Sequence, residues 1–125
     1  VLIELCCETD FVAKTDGFND LAASIAMQVA ASNPIAIDES GISQEILDKE
    51  KEIFLEQAKS SGKPENVIQK IVDGKLKKFI EDNCLIHQSF VKNPDMTISQ
   101  LVQEAVAKLG ENITISRFVR FALGE

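Results

Sequence analysis

An apolar run opens the chain, apolar positions recur with helical period through its middle, and period two sets in near its end. Val1-Leu2-Ile3-Glu4-Leu5-Cys6-Cys7 is a nearly continuous apolar, β-prone run. Phe18, Leu21, Ile25 and Val29 then lie three and four residues apart on one stripe. With Thr9 or Asp10 as N-cap, they predict a first helix over residues 10–32, bent near Gly17 and ended by Asn33-Pro34. Ile35-Ala36-Ile37 predicts a short extended link, and Asp38-Glu39-Ser40-Gly41 a turn. Ser43 caps a second helix with a stripe of Ile46, Leu47, Ile53, Phe54 and Ala58. Ser60-Ser61-Gly62-Lys63-Pro64 breaks the pattern and places Pro64 at the first position of a third helix, which runs to residue 83 through Gly74. Together these two helices predict an antiparallel helical hairpin.

The stretch from Cys84 to Val91 fits a helix end followed by an extended piece, and Asn93-Pro94-Asp95 is expected to turn. Thr97 with Gln100 forms a capping box ahead of the stripe Ile98, Leu101, Val102, Ala105, Val106 and Leu109, and Gly110 stops that helix. Residues 112–122 alternate. Ile113, Ile115, Val119 and Phe121 fall on one face, and Thr114, Ser116, Phe118 and Arg120 on the other, with Arg117 interrupting the apolar face. This strand is expected to pair with residues 1–7. Two strands alone are marginal, so a third is expected from an N-terminal part of the protein, from residues 86–91, or from another copy of the chain. Phe118, on the more polar face, hints at a contact between copies. The fold class is therefore α+β. A small antiparallel sheet packs on helices one and four, and the helical hairpin forms an excursion.

Composition narrows the function. The length of 125 residues suits one domain, expected over residues 1–125, and 45% apolar residues are enough for a core. No apolar run reaches the roughly 18 residues of a membrane span, and no signal peptide is visible. The net charge of −7 disfavours nucleic acid as a direct partner. Three cysteines, an odd number, fit a reducing, cytoplasmic setting. Lys75, Lys77 and Lys78 form a small basic cluster, a candidate only for orienting an acidic partner.

Chemistry is sparse. Cys84 and His87 are the one formal nucleophile–base pair, and nothing nearby would orient the His or supply an oxyanion donor. Cys6, Cys7, Cys84 and His87 lack zinc-site spacing, and Gly110-Glu111-Asn112 lacks the Lys and Ser/Thr of a phosphate loop. Neither an enzyme nor a cofactor is expected, and a protein-binding role is. The sharpest local feature is Glu8-Thr9-Asp10-Phe11-Val12-Ala13-Lys14, where strand gives way to helix. Phe11 in this first turn has two open readings: a staple packed on the sheet, or a ring held outward on a rigid base.

Those residues resemble the signature of the elongation factor Ts family, guanine nucleotide exchange factors of elongation factor Tu. The resemblance continues through Gly62-Lys63-Pro64-Glu65-Asn66, Gly74-Lys75-Leu76-Lys77-Lys78-Phe79, Gln88-Ser89-Phe90-Val91-Lys92, Gly110-Glu111-Asn112-Ile113 and Arg117-Phe118-Val119-Arg120-Phe121-Ala122-Leu123-Gly124. It implies the core, or dimerisation, region of a short-form member without that family's small N-terminal helical (UBA-like) module. It also implies that Thr9, Asp10, Phe11 and Val12 approach the GTPase and that Phe11 wedges between two of its helices. Groups organising the Mg²⁺ ion would be displaced and nucleotide released. Leu109 and Gly110 would form a second contact. Longer members carry two such sheet subdomains, so a homodimer through the sheet is one way to supply the same surface. Some short members have Cys where this chain has Val119, so no intersubunit disulfide is expected there. The setting would be the cytoplasm, or an organellar matrix in a eukaryote. The alternative is a dimerising interaction module without exchange activity.

Overall fold

The computed structural model describes all 125 residues, with the α+β architecture that the patterning predicts. Strand β1 (Leu2–Cys6) runs antiparallel to β4 (Thr114–Val119), joining the two ends of the chain. Helix α2 (Asp16–Ser32) and helix α5 (Ile98–Leu109) cover one face of this pair. Phe18, Leu21, Ile25 and Val29 of α2 are all buried, and Leu85, Phe90, Ile98 and Ile113 join them in one core. The α5 capping box is present, with Thr97 accepting from the Gln100 amide and the Gln100 side chain accepting from the Thr97 amide.

Helix α3 (Gln44–Lys59) and helix α4 (Glu65–Asn83) form the antiparallel excursion. Its base is held by a small second core of Ala36, Ile42 and Cys84, packed by Ile46, Leu47 and Ile80. Gly41 belongs here for a steric reason: a Cβ on it would lie 2.9 Å from the Ala36 Cβ. Two details of the hairpin differ from expectation. Pro64 is the N-cap and Glu65 the first helical residue. Ile53 is exposed, so it does not belong to the buried stripe.

Four larger expectations are corrected. The single helix over residues 10–32 is two helices. Helix α1 (Asp10–Ala13) is one turn, the chain bends at Lys14, and Thr15 caps α2 by accepting from the Phe18 amide at 3.2 Å. The break therefore falls before Gly17, because Thr15 offers a second cap where the pattern alone ran on. Asn93-Pro94-Asp95 is not a turn. It begins strand β3 (Asn93–Thr97), which pairs with β2 (Ser89–Phe90) across a turn at Val91-Lys92. Residues 86–91 therefore add no third strand to the β1–β4 sheet. They spend their pairing on β3, leaving two separate two-stranded sheets.

The last strand carries the fourth correction. Glu4 pairs with Arg117 and Leu5 with Ile115, so Ser116 is an extra residue, a β-bulge. One inserted residue in a period-two strand exchanges the faces beyond it. Ile113 and Ile115 point inward before the bulge, and Phe118 and Arg120 after it. Val119 and Phe121 are turned outward. Phe118 thus packs against the core instead of offering a contact between copies. Arg117 does not interrupt an apolar face, because it points outward and pairs with Glu4 at 3.0 Å. Hydrogen bonds from Ser116 and then Arg117, with the Arg117 charge, hold the Glu4 carboxyl below the usual carboxylate range.

A polar network was not foreseen. Gln28 is buried in α2, and its Nε2 donates to Gln88 Oε1 at 3.2 Å and to the Ser89 carbonyl at 3.1 Å. Its Oε1 accepts from the Val91 amide at 2.9 Å. Gln88 Nε2 donates to the Asp82 carbonyl at 2.8 Å, and Ser32 Oγ donates to Gln88 Oε1 at 2.7 Å. The network ties the β2–β3 hairpin and the end of α4 to α2.

Candidate functional site

The corner between β1 and α1 is built from its caps outward. Thr9 is extended and is the N-cap of α1, so Asp10 is the first helical residue and not the cap. Thr9 Oγ1 accepts from the Val12 amide at 3.4 Å. A four-residue helix has too few internal hydrogen bonds to stand alone. Its far end is held by Thr15, whose Oγ1 donates to the Val12 carbonyl at 2.7 Å. Val12 anchors the turn from beneath, 8% exposed within the core.

Val12 and Ala13 turn inward on this turn, and Phe11 on its other side faces out. The Phe11 ring is 81% exposed. The staple reading therefore falls to Val12, and Phe11 projects from a rigid base. Asp10 stands beside it with its carboxylate 3.6 Å from Lys14 Nζ, both groups well exposed. A surface pair of this kind contributes little to stability.

The second expected patch lies close by. Gly110 ends α5 in the left-handed conformation, φ 75°, with its amide donating to the Val106 carbonyl at 2.9 Å. Leu109 is half-buried. Its Cδ2 would be 3.4 Å from a Cβ on Gly17, so the end of α5 rests closely on the start of α2. A shallow cleft of about 250 Å³ opens between these helices beside Leu109, lined by Gly17, Leu21, Leu101 and Lys108 among others.

Glu111 joins the two patches. Its Oε1 accepts from the Glu8 amide at 3.2 Å and from the Thr9 amide at 2.9 Å. Its Oε2 accepts from Thr9 Oγ1 at 2.6 Å. In return the Asn112 amide donates to Glu8 Oε1 at 3.3 Å. Thr9, Asp10, Phe11 and Val12 are thus brought together with Leu109 and Gly110. Sequence reasoning missed Glu8 and Glu111 as members of the site. The bonds to the Glu8 and Thr9 amides link residues 103 and 102 positions apart, and no local pattern reports them.

The other candidates lie elsewhere. Lys75 is engaged within the hairpin, its Nζ 5.9 Å from the centre of the Phe54 ring. His87 Nε2 is 3.3 Å from Glu39 Oε1, so its partner is a carboxylate and not the Cys84 thiol. Burial pushes the Cys84 thiol up, and the nearby charges of Glu39 and Asp38 push it further, away from the reactive thiolate. Maleimide labelling of the native chain at neutral pH is expected to modify exposed Cys6 first. Cys84 should lag by at least about two decades, because it must wait for local opening. Rapid labelling of Cys84 in folded protein, read by peptide mass spectrometry, would contradict this burial. No group of three or more His, Cys, Asp or Glu side chains is arranged to hold a metal ion. No helix is long and apolar enough to cross a membrane.

The sequence profile described as Elongation factor TS matches residues 19–125. The chain is 52% identical, over its whole length, to Elongation factor Ts of Desulfosudis oleivorans, of which it covers 63%. It is 54% identical to that of Carboxydothermus hydrogenoformans, covering 58%, and 53% identical to that of Thermosipho melanesiensis, covering 64%. The chain therefore spans about 60% of the length of these relatives.

Proposed function

Because this chain belongs to the elongation factor Ts family, we propose that it promotes guanine nucleotide release from elongation factor Tu during translation elongation. The reading needs no catalytic residue and no cofactor of its own. Phe11 enters the GTPase between two helices, Asp10 and Thr9 flank it, and Leu109 and Gly110 make the second contact. Nucleotide leaves because the groups that organise its Mg²⁺ ion are displaced. The observation that carries the reading is the 81% exposure of Phe11 on a turn whose next residue, Val12, is locked in the core.

Magnitudes constrain how the work is shared. Exchange factor and nucleotide weaken each other's binding by the same coupling free energy. A thousandfold loss of nucleotide affinity takes about 4 kcal/mol, at roughly 1.4 per decade. Burying one Phe side chain contributes roughly 1.5–3 kcal/mol. Phe11 alone is insufficient. Disturbance of the Mg²⁺ site and the contact at Leu109 and Gly110 supply the remainder.

The outward side of the β1–β4 sheet and the chain end beyond it support pairing of two copies. Leu2 and Phe121 are strongly exposed, and Val119 partly so. Isolated apolar residues on a surface are ordinary, whereas several on one sheet and its extension mark an interface.

The test is release of fluorescent GDP from elongation factor Tu over a range of chain concentrations. Acceleration is expected, with a steeper than first-order dependence if the active species is a dimer. Binding without acceleration would favour the alternative, an interaction module without exchange activity. No binding would refute both the partner and the mechanism.

A further inference from the structure

We infer that Glu111 is a positioning residue for the Phe11 corner, holding it in fixed relation to Leu109 and Gly110 so that the two patches act as one contact surface. The inference rests on the exchange reading and deepens it. The β1–β4 backbone ladder ends at the pair Cys6 and Thr114. Past that point the strands separate, one leading into α1 and the other arriving from α5. The amides of Glu8 and Thr9 then lack strand partners. Glu111 supplies both with one carboxylate oxygen, at 3.2 and 2.9 Å, and takes the Thr9 hydroxyl on the other at 2.6 Å. Charge-assisted bonds of this kind are shorter and stronger than neutral ones.

The geometry explains why a side chain is used. Thr9 Oγ1 already caps α1 by accepting from the Val12 amide, and donating its hydrogen to Glu111 fixes the direction of its lone pairs. One carboxylate therefore sets both the cap of α1 and the distance from α1 to the end of α5. Glu8 reciprocates, its Oε1 accepting from the Asn112 amide at 3.3 Å. Removing Glu111 leaves α1 tethered by Val12 and Thr15 but free to tilt. Phe11 would then sample directions that do not fit a partner already seated on Leu109.

A merely structural glutamate would lower the melting temperature and leave the exchange rate of the folded protein alone. The experiment is a double-mutant cycle in the full chain, with GDP release from elongation factor Tu as readout. Residues acting as one unit show interaction energies that single substitutions do not sum to. Glu111→Ala is expected to slow release about fivefold to tenfold when Phe11 is present, and less than about twofold in a Phe11→Ala background. Glu111→Gln, which keeps one acceptor for the amides, should fall between Glu111→Ala and the unaltered chain. It also serves if Glu111→Ala melts below the assay temperature. Equal slowing in both backgrounds, or full-speed release by Glu111→Ala beside a slow Phe11→Ala, would overturn the inference while leaving the exchange reading standing. A Phe11→Ala variant that exchanges at full speed would overturn both.

Discussion

Phe11→Ala is expected to slow nucleotide release from elongation factor Tu by one to two decades while leaving the thermal melt unchanged. The ring is 81% exposed, so the folded chain gives up almost no contact when it is removed. A surface substitution of this kind stays within about 0.5 kcal/mol of neutral. In the complex the same ring becomes a buried anchor. Truncating such an anchor costs roughly 1.5–3 kcal/mol, which at about 1.4 kcal/mol per decade is the predicted slowing. Stopped-flow release and a circular-dichroism melt on the same preparation decide it. A melt lowered by several degrees would make Phe11 a core residue and remove the basis of the wedge. Unchanged release with an unchanged melt would leave the corner without a role in exchange.

Gln28→Leu should have the largest effect on stability among substitutions that preserve size, a loss of about 2–4 kcal/mol. The side chain is almost completely buried and satisfies three partners: the Val91 amide, the Ser89 carbonyl and Gln88 Oε1. Leucine fits the space but leaves those groups without their bonds. An orphaned buried group costs roughly 1–3 kcal/mol where water cannot reach it. The readout is the urea midpoint at constant slope. A shift corresponding to less than about 0.5 kcal/mol would mean that water replaces the side chain, and that the β2–β3 hairpin is held by its apolar contacts instead.

These two residues also show what kinds of information a single chain carries. Phe11 was conspicuous, yet its direction was open on local grounds, because first-turn apolar residues commonly staple a helix to its sheet. The resemblance to a family favoured the outward reading, and the inward packing of Val12 and Ala13 sets the turn so that Phe11 faces out. Gln28 gave no signal at all. A glutamine one residue from an apolar stripe looks like any solvated position, and its partners lie 60 or more residues away. Glu111 lies in a stretch that resembles the family, yet nothing near it in sequence indicates that its carboxylate reaches Glu8 and Thr9.

What the sequence determined by itself is mostly the set of contacts between near neighbours along the chain. The stripes of α2 and α5, the caps at Ser43 and Thr97 and the stop at Gly110 follow from periodicity and cap chemistry, and the structure has them. The structure chooses Thr9 over Asp10 as the cap of α1. The one distant contact expected from pattern alone is the pairing of the two β-prone chain ends, which the structure also has. The break at Lys14 escaped periodicity although its cause is local: Thr15 bonds back to the Val12 carbonyl three residues earlier and caps α2. Tertiary structure decided three further things. It turned Asn93-Pro94-Asp95 into strand, because Ser89 and Phe90 were there to pair with. It reversed the faces of β4 beyond Ser116, because one bulged residue lets Phe118 reach the core and lets Arg117 face Glu4. It brought Glu111 to Thr9. The physical reason is common to these three. Propensity and periodicity report interactions across one helical turn or one pleat. Each of these outcomes was instead set by a hydrogen bond, strand pairing or packing contact formed only once separate elements had been brought together.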